Sequence, residues 1–268
     1  MTSAIRSELR KFFTTRLWWG MGIAIFVAGG GLALLFSLVL TSVSGADGGG
    51  NPMTELQLTS TVFTGGIGLV YLLTLAVGVM TIGSEYRHKT ISATFLATPR
   101  RLQVMGAKVV SLLVIGAMYG VLSLVASVGI GTAVLSAKGH HPFADASIWR
   151  TLALALLVLG LWALIGLGAG ILIPNQVAAL LISIGVAWIV EPILGGVLSL
   201  ASWGRDISPY FPSQATSAML GTGGGGGFSG PDSTVTVLSW WAGALVLAAY
   251  AAVMAGVGSA LTVRRDIS

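Results

Sequence analysis

The chain contains no cysteine, which excludes disulfides, thiolate nucleophiles and cysteine-held zinc or iron–sulfur sites. It is also poor in charge. Only 9% of its 268 residues are Asp, Glu, Lys or Arg, against about 25% in an ordinary soluble domain. So few charges cannot clothe a water-facing surface, so a soluble enzyme, a disordered tail and a coiled coil are excluded. Apolar residues take their place: 54% of the chain is hydrophobic and the mean hydropathy is +0.90.

The few charges divide the chain into long uncharged intervals. There are 30 residues between Arg16 and Asp47, 29 between Glu55 and Glu85, and 29 between Lys108 and Lys138. A further 40 separate Arg150 from Glu191, and 31 separate Asp232 from Arg264. A bilayer core needs about 20 apolar helical residues, so every interval is long enough to span. The expected architecture is an all-α polytopic membrane protein, one transmembrane domain over 1–268. Its six spans fall near 17–40, 61–83, 108–135, 151–173, 177–190 (with room to extend to 203) and 237–263. The longest interval is split at Pro174-Asn175-Gln176, its only polar break.

Six crossings put both termini on one side. Residues 1–16, the loop running to Lys108 and the tail hold eleven of the fourteen basic residues and three acids, a balance of +8 against −3 on the other side. The positive-inside rule makes the richer side cytoplasmic, which places the protein in the plasma membrane with both termini inside. A cleavable signal peptide fits the N-terminus less well, because its apolar region runs to only about 7–15 residues.

Outside the spans, Ile5, Leu9, Phe12, Phe13 and Leu17 recur on one helical face while Arg6, Arg10 and Lys11 occupy the other. An amphipathic helix over 1–16 is expected to lie in the headgroup layer of the bilayer, cations toward anionic lipid. The loop 84–107 is far longer than the roughly 2–8 residues that a helix–helix connection needs. Within it, 90–96 reads as a short helix stopped by Pro99. Before the last span, 191–236 is irregular. Pro192 lacks the N–H that would continue the helix, and Glu191, a carboxylate expensive at mid-membrane, is functional, protonated or near enough to the surface to reach water. Pro209, Phe211 and Pro212 extend the irregularity, so a broken or re-entrant outer element is expected, with an outer gate at these five residues.

Several chemistries lack their residues. The nearest approach to a phosphate-binding glycine loop is Gly83 to Thr90, with His88 where the second glycine belongs. Ser229 has no histidine downstream to serve as its base. His140 and His141 are adjacent and poorly placed to share a metal. The basic residues border the membrane, so nucleic acid is not an expected partner. No catalytic, metal or cofactor site is therefore assigned.

The run Glu85-Tyr86-Arg87-x-x-Thr90, followed by Leu96-Ala97-Thr98-Pro99-Arg100-Arg101 and Lys108, resembles the signature loop of ABC-2-type transporter permeases, the membrane subunits of bacterial ABC exporters. Arg264-Arg265-Asp266 is similar to their short basic tail. The resemblance implies that 85–101 holds a cytoplasmic coupling helix between spans 2 and 3, seated on a separate ABC ATPase subunit. It implies that a second permease subunit, identical or similar, completes the pathway, and that ATP and Mg bind the partner and not this chain. A stand-alone secondary transporter or channel is the alternative. Such proteins usually carry ionisable residues at mid-membrane, and the first four spans and the last lack them.

Overall fold

The computed structural model describes residues 2–44, 53–88, 101–222 and 238–264, which are helical apart from short connections. The helices are α1 (Thr2–Thr14), α2 (Leu17–Ser44), α3 (Glu55–Thr64), α4 (Ile67–Arg87), α5 (Arg101–Ala137), α6 (Ser147–Leu172) and α7 (Gln176–Gly185). A π-helical stretch, Val186–Val190, joins α7 to α8 (Glu191–Ser199), and then follow α9 (Ser202–Ile207), a 3₁₀ turn (Ser208–Tyr210), α10 (Pro212–Leu220) and α11 (Trp240–Arg264). Among the described residues, six helical segments are long and apolar enough to cross a membrane: Leu17–Ser42, Glu55–Arg87, Gln103–Ala137, Ser147–Leu172, Gln176–Leu198 and Trp240–Gly258. Among the described residues the chain is all-helical, with the six long apolar helices of a multi-pass membrane protein.

Their contacts alternate as six crossings require. Leu75 meets Gly166 and Ile82 meets Gly170, so α4 and α6 run parallel, whereas Gly116 meets Gly160 and Gly120 meets Leu156, so α5 and α6 run antiparallel. Gly168 lies against Met254 and Gly258 against Ile171, so α11 runs parallel to α6 and ends beside its C-terminus. The first helix and the last turns of α11 thus share one end of the bundle.

The core is built on α4 and α6, the two most enclosed spans. A Cβ added to Gly78 would collide with the Ala163 carbonyl, and one on Gly166 with that of Leu75. These glycines let the backbones touch, and packing is the main attraction left between helices once lipid removes the hydrophobic drive. Between them Tyr71 stacks on Trp162, ring centres 4.2 Å apart.

Span 3 begins before residue 108, at Gln103, and two further departures from the sequence-based reading have a visible local cause. Span 2 begins at Glu55 and not near residue 61, because Thr54 and Gln57 close a reciprocal capping box that starts α3. Gly65-Gly66 then carries the chain into α4. In span 5, Glu191-Pro192 does not break the helix. The Glu191 N–H reaches back five residues to the Val186 carbonyl, shifting the register so that Pro192 falls in the first turn of α8, where a missing N–H costs nothing. The interruption comes later, at Ala201, whose backbone is extended.

Candidate functional site

Four charged side chains meet where the α1 end of the bundle closes. Glu8 and Lys11 stand three residues apart on α1, hence on one face, and their side chains are 2.7 Å apart. Lys108, on the second turn of α5, places its Nζ 2.7 Å from Glu8 Oε2 and 2.6 Å from Glu85 Oε1. Lys11 reaches the same Glu85 oxygen at 3.1 Å. The two carboxylates and two ammonium groups alternate. Lys108 is 1% exposed and Glu8 and Glu85 7% each, so the cluster is held largely away from water.

Local sequence explains the convergence. The N–H and hydroxyl of Thr15 both bond the Phe12 carbonyl, ending α1 just before α2 begins. Phe12 is buried edge-on against Tyr119 of α5, centres 6.0 Å apart, and the Tyr119 hydroxyl donates to the Trp18 carbonyl at 2.9 Å. With α1 pinned at its C-terminal end, Glu8 and Lys11 lie over the gap between α4 and α5. Glu85 stands one turn from the end of α4 and Lys108 near the start of α5, so the cluster binds α1 to both stems of the 88–100 connection.

The electrostatics follow from that geometry. Burial opposes the charge of Glu8, but Lys108, by charge and hydrogen bond, and Lys11 prevail and hold its carboxyl below the ordinary range. Burial likewise opposes the charge of Lys11, yet Glu8 and Glu85 hold its amine above the usual lysine value. Glu85 spends one oxygen on both lysines, and its Oε2 is buried with no partner among the described residues. The cluster borders a cleft of about 600 Å³ walled by Thr15, Ser84, His88 and Gln176.

Of the loop residues singled out by sequence, Glu85 lies inside this cluster. Tyr86 is half-buried with its hydroxyl unpartnered among the described residues, and Arg87 is exposed at the end of α4. Arg101 opens α5. Thr90, Leu96, Pro99 and Arg100, and with them the expected coupling helix, lie outside the described residues. Glu8 went unassigned in the sequence, and Lys11, expected on the lipid-facing cationic side of α1, pairs with Glu8 and Glu85 instead. The signal was there, since Glu8 is the only acid among the sixteen N-terminal residues and a lysine facing a span's interior has to find a counterion.

Deeper in the bundle the structure brings Glu191 to the first turn of α10, beside Pro212. The chain leaves α8, turns through α9 and comes back so that the Ser213 N–H, in the first turn of α10, donates to Glu191 Oε1 at 2.6 Å. A carboxylate at a helix N-terminus suits both the free N–H groups and the helix dipole. Glu191 is buried. From α10, Thr216 accepts the Trp162 indole N–H at 3.0 Å and donates to the Pro212 carbonyl, tying α10 to the core. Pro192 borders a cavity of about 500 Å³ with Tyr71, Trp188 and Ser213. Pro209 is buried in the 3₁₀ turn, and Phe211 caps α10. His140 sits 3.0 Å from Glu55, and among the described residues no group of three or more metal-ligating side chains comes together.

The chain matches no protein-family model and no curated protein.

Proposed function

We propose that this chain is the permease subunit of an ABC-2-type exporter, with both termini in the cytoplasm of a plasma-membrane location. It would form part of the translocation pathway and take its energy from ATP and Mg bound on a separate ATPase subunit. The observation that carries the reading is the four-charge cluster. It ties the amphipathic α1 to both stems of the one long basic loop, so that a push on the loop reaches α1, α4 and α5 together. Six alternating spans, the +8 balance at that end and the loop's likeness to the ABC-2 signature support it.

In this reading Glu85 and Lys108 are positioning residues. They set the stems, while the exposed Arg87 and the residues beyond it meet the ATPase. On the far side of the bundle from the loop, Glu191 links α10 to span 5, so that a re-entrant α10, tied to α6 through Thr216, would move with that span. A second copy, or a similar chain, completes the pathway. The test is purification in a mild detergent from the native membrane. A soluble subunit with a phosphate-binding glycine loop, in stoichiometric amount, is the expected companion. A pure oligomer of this chain that transports without ATP would overturn the reading in favour of a stand-alone transporter.

A further inference from the structure

Between α2 and α5, just beyond the junction with α1, lies a recess of about 590 Å³ with almost wholly apolar walls. Trp18, Trp19, Ile23 and Phe26 form one wall and Val121 and Val125 the other, all of them exposed. The wall from Trp18 to Phe26 runs roughly 12 Å along the helix. The recess follows from how the two helices meet. Gly29 lies against Ser123, whereas nearer α1 the Tyr119 ring wedges between them and Gly22 leaves the floor open. The Tyr119 hydroxyl and the Trp18 carbonyl satisfy each other, so this floor asks no hydrogen bond of an occupant.

Exposed arginines lie on the chain leading into the recess. Lys11 and Lys108 are neutralised by Glu8 and Glu85, but Arg6, Arg10 and Arg16 are exposed and have no acidic partner among the described residues. Arg16 stands two residues before Trp18, where the chain enters the span. An apolar slot with Arg16 two residues from its tryptophan rim has the polarity profile of a phospholipid. A second copy of the chain fits less well, since a two-fold contact sets a surface against itself and would bring these arginines together.

We propose that this recess holds one acyl chain of an anionic phospholipid whose phosphate is held by Arg16. Lipid bound there bridges α2 and α5 beside the junction with α1, independent of the transport reading.

The test is native mass spectrometry of the full chain, exchanged from equal mixtures of dioleoyl-phosphatidylglycerol and dioleoyl-phosphatidylcholine. The wild type should retain one phosphatidylglycerol per chain in preference to phosphatidylcholine. Arg16→Gln should keep a lipid but lower that preference about fivefold, since a cation near the surface contributes about 1 kcal/mol. Gly22→Leu, whose Cβ would meet Leu122 at an ordinary 3.4 Å, should fill the slot and abolish retention. Val125→Trp, on the exposed wall, does the same if the first variant fails to fold. Equal retention of both lipids by the wild type, retention undiminished in a folded slot-filling variant, or an unchanged preference in Arg16→Gln would overturn the proposal. So would a slot-filling variant that changes the oligomeric state and leaves lipid content intact.

Discussion

Glu85 and Lys108 are separated by 23 residues and joined by a 2.6 Å ion pair. One stands in the last turn of α4 and the other in the second turn of α5, so the connection between them is clamped at its root. Glu8 and Lys11 reach the clamp from a third helix. The arrangement makes the loop's position and that of α1 one variable.

Removing Lys108 should be costly. Lys108→Met leaves Glu8 and Glu85 facing each other across a buried gap with only the half-exposed Lys11 between them. Breaking a buried pair from one side costs about 3–5 kcal/mol. The thermal midpoint in detergent should fall clearly, and Lys108→Met with Glu85→Gln should be less unstable than the two single effects predict. Strict additivity would show that the pair is not coupled.

The docking of α1 should depend on pH at both extremes. The carboxyl of Glu8 is depressed in the folded protein, so its contribution is full above its ordinary 4.5 and is lost as pH falls through the lower folded value. The Lys11 amine is raised, so its contribution is full below its ordinary 10.5 and is lost as pH rises through the higher folded value. Hydrogen-exchange protection of α1, corrected for intrinsic rates, should be flat between these limits and fall below the lower one. Protection unchanged well below pH 4 would contradict the role of Glu8.

The outer helix α10 should depend on one acceptor. Glu191→Gln keeps an oxygen for the Ser213 N–H, so transport and stability should stay near wild type. Glu191→Ala should free α10 and expose 200–222 to protease. Equal behaviour of both variants would leave Glu191 without this function.

Thr216→Val retains the shape of the side chain but orphans the buried indole N–H of Trp162. A buried donor left unsatisfied costs about 1–3 kcal/mol, so a lowered midpoint is expected, with the fold kept. An unchanged midpoint would mean that another acceptor serves Trp162.

Much of the fold was legible because it depends on local composition. The uncharged intervals placed six spans, and the spacing of Ile5, Leu9 and Phe12 placed α1. Span 2 was read too short because its start depends on a cap formed by Thr54 and Gln57, which periodicity does not register. Pro192 was read as a break because a π turn, which relocates the missing N–H to a helix start, leaves no mark in the sequence. The candidate site was half legible. Glu85 stood out in its loop, but its partners lie 74 residues away in Lys11 and, for the Lys108–Glu8 link, 100 residues apart. Only the fold brings them together.

In the proposed coupling, an ATPase partner drives the chain through the basic loop held by this clamp. The most direct measurement is the ATP hydrolysis rate of that partner reconstituted in lipid with the wild-type chain, with Arg101→Glu and with Arg87→Glu. Stimulation by the wild type, reduced severalfold in both charge reversals while the permease stays folded, is the predicted result. A partner whose hydrolysis is indifferent to the chain, or equally stimulated by all three forms, would contradict it.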